Sequence, residues 1–161
     1  MLLKSIALSV EGVVLEDEGE SPTVLLRDSS GEYLMPVPVG AFEASAIIIE
    51  IEGIKPPRAL THDLIAELAL RHRFRMIEFL LYGRTDEGFL GRIAYRKGLR
   101  SWTMEVRPSD GIALALRLGA PIRVDRDLFD SAAVPACAEA PFRADSGSVL
   151  YWDAKACRDD L

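Results

Sequence analysis

The chain is poor in the side chains that build metal clusters and disulfide frameworks: it has only two cysteines and two histidines in 161 residues. Cys137 and Cys157 both lie near the C-terminus, with no Cys-x-x-Cys spacing and no neighbouring histidine, which argues against zinc. A single disulfide between them is one reading; reduced thiols in a cytoplasmic protein are the simpler one. No apolar run is long enough to span a bilayer, so no membrane partner is expected. The N-terminus offers only Lys4 before a short apolar run that Glu11 interrupts, so it reads as a strand and not as a signal peptide. Aromatic residues are few, at 7%. Internal repeats and low-complexity tracts are also lacking.

What is present is apolar and acidic. The apolar fraction of 49% can fill one core without staples, and it points to a homo-oligomer. Length and pattern predict one domain over 1–126 and a C-terminal extension over 127–161, packed on the core or on a partner subunit. The net charge of −6 speaks at first against a nucleic-acid partner. Its distribution speaks otherwise, because residues 55–107 hold 11 Lys and Arg against 6 Asp and Glu. Such a local basic face is an electrostatic footprint for phosphates. Many of these arginines alternate with apolar residues, so they also fit the solvent side of strands.

Periodicity predicts an α+β domain with a curved, mainly antiparallel sheet flanked by helices. Strands are expected at 3–15, 23–28 and 33–39, the last at an edge or ending in an irregular arm because Pro36 and Pro38 donate no hydrogen bond. Residues 41–52 favour a strand by their isoleucines, but Phe42, Ala46 and Ile49 follow helical spacing and Gly53 supplies a stop, so a helix is predicted. Thr61 is expected to cap a helix over 62–71 whose buried stripe is Leu64, Ile65 and Leu68. A central strand over 73–83 is expected to place Phe74, Met76, Leu80 and Tyr82 on one face. A turn at Thr85–Gly88, strands at 89–96 and 100–106, a helix at 109–118 and a strand at 121–124 complete the pattern. In the extension, Ser131–Ala138 is expected to be a short helix and Val149–Trp152 an apolar contact.

Three stretches carry chemistry. In Arg107-Pro108-Ser109-Asp110-Gly111-Ile112-Ala113-Leu114-Ala115-Leu116-Arg117, Pro108 disfavours the helical region for Arg107, which is expected to be extended, and favours a helix start. Ser109 and Asp110 then sit where free N–H groups and the helix dipole favour oxygen atoms. Such a corner can hold an anion, although a helix N-terminus with a surface ion pair explains it as well. The second stretch is Met35-Pro36-Val37-Pro38-Val39-Gly40-Ala41-Phe42-Glu43-Ala44-Ser45-Ala46-Ile47. The third is Pro57-Arg58-Ala59-Leu60-Thr61-His62-Asp63-Leu64.

Taken in chain order, the three stretches resemble the bifunctional nuclease domain family, over about residues 3–125. The resemblance implies a nuclease of low sequence preference acting on RNA and DNA. Departures from the family pattern are Glu105 for an Asp, Ala59 for a Pro, and Gly111 for an Ala. The last is expected to weaken the helix by roughly 1 kcal/mol.

Phosphodiester cleavage needs a base, charge neutralisation at phosphorus and a stabilised leaving oxygen. His62, in a first helical turn where the dipole disfavours the imidazolium, suits a general base. Asp63, one residue on, points about 100° away on a helix. Arg107 suits the anion clamp, because its planar fork matches two phosphate oxygens. Glu43, Asp63, Glu105 and Asp110 are candidate oxygen donors for Mg²⁺ or Mn²⁺, with Glu105 and Asp110 the expected pair. Arg58, Thr61 and Ser109 are the expected substrate contacts. Tyr82, Phe89, Tyr95 and Trp102, in the basic middle of the chain, could stack bases or fill the core. Each motif residue also has a credible role at a turn or helix end. A non-catalytic regulatory or oligomeric module, or a single-strand-binding one, is therefore the alternative.

Overall fold

The computed structural model describes residues 5–15, 21–136, 143–144 and 149–151. In chain order the elements are β1 (Ser5–Val14), β2 (Thr23–Asp28), β3 (Tyr33–Pro38), α1 (Ala41–Ile51), α2 (Thr61–Arg71), β4 (Arg75–Thr85) and β5 (Gly88–Lys97). They continue as β6 (Arg100–Val106), α3 (Pro108–Leu118), β7 (Ile122–Asp125), α4 (Arg126–Ala132), β8 (Val134–Pro135), β9 (Arg143–Ala144) and β10 (Val149–Tyr151). The α+β expectation holds. One mixed sheet runs β6-β5-β4-β7-β1-β2-β3-β8, antiparallel throughout that path except where β4 meets β7.

The prolines of β3 act as the sequence implies. β8 pairs only with Tyr33 and Leu34, so the segment holding Pro36 and Pro38 has no partner on its outer side among the described residues. The extension differs from the prediction: the helix lies at Arg126–Ala132, and Val134–Pro135 then pairs with β3. Asp125 caps α4 by accepting from the Asp127 N–H at 3.1 Å, which starts the helix earlier. Leu128 and Phe129 join the main core. Val149–Tyr151 forms a strand, parallel to β1 at Val13 and Val14. Cys137, Ala138, Trp152 and Cys157 lie outside the described residues.

Helices α1 and α3 cover one face of the sheet, burying Ile47, Ile112 and Ala113 with Phe79, Leu81 and Val124. Two bulges in β4, at Ile77 and Tyr82, break the simple alternation read from the sequence. Each inserts an unpaired residue and reverses the facing of the strand beyond it. Met76 thus shares the helix-covered side with Phe79, since their partners Tyr95 and Ile93 are two residues apart, while Ile77 is 40% exposed.

Phe79 explains the departure at Gly111. Its ring is fully buried and lies directly against the Gly111 backbone, where a Cβ would collide with it. A Cβ on Gly91, in β5, would also stand 2.6 Å from this ring. The glycine expected to weaken α3 therefore makes room for the largest side chain of the core. Gly111→Ala is expected to destabilise the protein by about 1–3 kcal/mol despite its better helix propensity. Denaturant unfolding of Gly111→Ala alone and with Phe79→Leu checks this: the second change should recover much of the loss, and a stabilised single variant would contradict it.

Helix α2 departs most from the prediction. Leu64, Ile65 and Leu68 are 53%, 44% and 48% exposed, and Ala66 is the buried residue. Positions 62, 63, 66 and 69 share one side of a helix, and 64, 65 and 68 the opposite side. The helix docks through the first set because His62 and Asp63 find charged partners on α3. The apolar stripe is left outward.

Candidate functional site

The three sequence stretches meet at the N-terminal end of α3. Arg107 ends the β6–α3 connection in extended conformation (φ −62°, ψ 144°), and Pro108 opens the helix. The carboxylate of Asp110, in the first turn, accepts from both sides. Arg107 donates from Nε to Oδ2 at 2.8 Å and from Nη2 to Oδ1 at 3.2 Å. His62, arriving from the first turn of α2, places Nε2 3.0 Å from Oδ1. Arg107 also holds Glu43 of α1 through Nη1, at 2.8 Å from Oε1. His62, Asp110, Arg107 and Glu43 thus form one connected chain, which joins all three motifs.

Local sequence accounts for each position. Gly40 is the N-cap of α1, and the Glu43 carboxylate folds back over it into the space a Cβ would take. The N-cap of α2 is Leu60, one residue earlier than predicted for Thr61. Asp63 satisfies that end, accepting from the Leu60 N–H at 2.8 Å.

Asp63 does not join His62. Its other oxygen takes the Nε–H of Arg117, which also donates to the carbonyl oxygens of Ala113 and Ala46, each at 3.1 Å. The Arg117 side chain is 4% exposed. It ties α1, α2 and α3 together, so Asp63 serves the scaffold. Arg117 escaped the sequence reading; the available signal was its spacing of seven from Asp110, which puts both on one face of α3.

Burial opposes ionisation of Asp110, but hydrogen bonds and charge from Arg107 and His62 prevail and hold its carboxyl below the ordinary range. Asp63 is lowered mainly by the Arg117 hydrogen bond, then by the Leu60 N–H. Groups depressed in this way stabilise the fold above their unfolded value of about 3.9, and that contribution fades as pH falls through the folded value. Circular dichroism should show Asp63→Asn unfolding with a shallower dependence on pH below about 4 than the parent. An identical acid limb would contradict the assignment.

With Nε2 committed to Asp110, Nδ1 of His62 is the free ring nitrogen. No buried side-chain nitrogen or oxygen among the described residues lacks a partner, so this atom reaches solvent although the side chain is only 12% exposed. Arg107 is 67% exposed and lines a groove of about 720 Å³ with Glu43, Glu105, Ser109 and the β4–β5 turn. Ser109, 6% exposed, sits at its edge. Arg58 and Thr61 are exposed and do not line this groove.

The expected metal donors are engaged by other side chains of the chain itself. Glu105 accepts the hydroxyl of Tyr82, which raises the Tyr82 phenol above its usual range. Asp110 and Glu43 are both held by Arg107. Among the described residues no three His, Cys, Asp or Glu side chains are placed to share a metal ion. A divalent ion of this kind needs only one or two protein carboxylates beside water and a substrate phosphate, and Glu43 and Glu105 line the same groove as Arg107. The aromatic candidates divide: Tyr95 stacks on Trp102 at 5.7 Å, whereas Tyr82 and Phe89 lie beneath Arg92 and Arg84.

A family model described as "Bifunctional nuclease domain" matches residues 24–136. The uncharacterized protein Rv1829 of Mycobacterium tuberculosis is 36% identical over 126 residues, covering 76% of this chain and 73% of that protein. The uncharacterized protein MT1877 of another strain matches to the same extent. Bifunctional nuclease 2 of Oryza sativa subsp. japonica is 23% identical over 130 residues, covering 78% of this chain and 40% of that protein.

Proposed function

Because the chain belongs to the bifunctional nuclease domain family, we propose that it hydrolyses phosphodiester bonds in RNA and DNA with little sequence preference. The observation that carries this reading is the Asp110–His62 pair beside the exposed fork of Arg107. Asp110 accepts from Nε2 and so fixes the tautomer and orientation of His62, leaving Nδ1 to take a proton from the attacking water. The water oxygen bonds to phosphorus, the P–O bond to the leaving sugar breaks, and solvent protonates the departing oxygen. Arg107 matches the charge that develops on the phosphoryl oxygens, and Glu43 holds Arg107 in place. Asp63 serves this site indirectly, through Arg117, and Glu105 lines the groove with Arg107.

The test is incubation of the purified protein with single-stranded RNA and double-stranded DNA, with and without a chelator. Cleavage of both that follows the folded protein through size exclusion supports the reading. Intact substrates in every lane contradict it. Persistence under chelation fits the site as built, and loss of cleavage would assign a divalent ion to it. A second reading, an oligomeric interaction module, is favoured by the outward Leu64, Ile65 and Leu68 of α2. In the same experiment it gives untouched nucleic acid and a defined oligomer. No helix among the described residues is long and apolar enough to cross a membrane, and the proposed setting is the cytoplasm.

A further inference from the structure

The groove beside Arg107 is lined by four carboxylates, Glu43, Asp86, Glu87 and Glu105, against two guanidiniums, Arg84 and Arg107. A polyanionic strand would be repelled by most of it. The cations able to hold such a strand lie at the opposite end of α3. There Arg73, Arg75 and Arg96 line a cavity of about 590 Å³ with Phe74, Leu118 and Gly119, and no carboxylate lines it.

Arg75 and Arg96 stand directly opposite each other in the β4–β5 register. Like charges directly opposite across strands are destabilising, and an anion between them would offset this. No carboxylate among the described residues does so. Glu78, the one acidic residue of β4, is 3.9 Å from Arg123. The other arginines of this hairpin have covers, Arg84 over Phe89 and Arg92 over Tyr82. Arg73, Arg75 and Arg96 make no ion pair or ring contact among the described residues. Arg73 also holds a left-handed backbone (φ 59°), unusual for a side chain of its size and the only such non-glycine among the described residues.

We propose that Arg73, Arg75 and Arg96 form a phosphate-binding cradle that grips the backbone of a single-stranded nucleic acid away from the His62–Asp110 pair. The identity of this ligand rests on the nuclease reading above; the anion site itself does not. Helix α3 separates the two places, and its 11 residues span about 16 Å. At about 3.4 Å per phosphate along a helical strand, a bound chain needs about five nucleotides to touch both.

The test is fluorescence anisotropy with a labelled single-stranded oligonucleotide over a range of salt, comparing the parent with Arg75→Ala/Arg96→Ala and Arg126→Ala. Loss of two phosphate contacts should weaken binding about tenfold and flatten the slope of log K against log salt by about 1.4. Arg126→Ala, a surface cation paired with Asp130, should change neither. Unchanged affinity and slope in the double variant, or no binding by the parent, overturns the cradle. Arginine-dependent binding without any cleavage by the parent keeps the cradle and removes the nuclease reading. Thermal melts of all three proteins separate lost contacts from lost fold.

Discussion

Replacing Arg117 by Met should cost about 3–5 kcal/mol of stability, the largest effect expected of any single substitution in the helical layer. The guanidinium is almost wholly buried, and three of its N–H groups are used: one by Asp63, one by the Ala113 carbonyl and one by the Ala46 carbonyl. Met fills much of the volume but leaves the Asp63 carboxylate facing the helix interface without its cation. At about 2–4 °C per kcal/mol for a chain of this size, the melting temperature should fall by roughly 10 °C. Adding Asp63→Asn should remove part of the penalty, since the unpaired charge is then gone. A cycle over the two sites should therefore show coupling of more than about 1 kcal/mol. Calorimetry of the four proteins checks this, and additive losses would mean that Arg117 acts through its packing alone.

The second large effect concerns Arg107. Its removal should leave the fold nearly intact, because the side chain is mostly exposed and exposed ion pairs contribute little. Cleavage should nevertheless fall by about 10²–10³, the usual loss when one donor to a developing phosphoryl or oxyanion charge is deleted. Arg107→Lys should rescue it poorly. Lysine keeps the charge but cannot bind two oxygens of Asp110, reach Glu43 and face the substrate together. The check is single-turnover cleavage by the parent, Arg107→Ala and Arg107→Lys, with melting curves for each. Full activity in the lysine variant would reduce Arg107 to a point charge, and full activity in the alanine variant would remove it from the site.

Much of the architecture is legible in the residues themselves. Pro108 and the extended Arg107 announce the strand-to-helix corner, and Gly53 marks the end of α1. The strands from 23 to 28 and 100 to 106 follow from their apolar, β-branched and aromatic residues. The site is legible in part: His62, Arg107, Asp110 and Glu43 stand out in the motifs and are joined in one hydrogen-bonded chain.

The remainder depends on tertiary packing. Leu64, Ile65 and Leu68 make a regular stripe, but two charged neighbours decide which side of α2 is buried, and their partners lie about fifty residues away. Gly111 looks like a local weakness because propensity takes no account of Phe79. Asp63 looks catalytic because it follows His62, although consecutive helical residues diverge. The bulges at Ile77 and Tyr82 leave no periodic trace, so the facing of β4 cannot be read through them.

The proposed role of His62, set by Asp110, is that of the base in a phosphodiesterase site. It is tested most directly by the cleavage rate of His62→Ala against the parent, both prepared identically and acting on labelled single-stranded RNA and double-stranded DNA. The expected result is a loss of about 10²–10⁴ on both substrates, with the fold retained in circular dichroism at the assay temperature and a modest drop in melting temperature from the lost His62–Asp110 contact. Equal cleavage by the two proteins would contradict it.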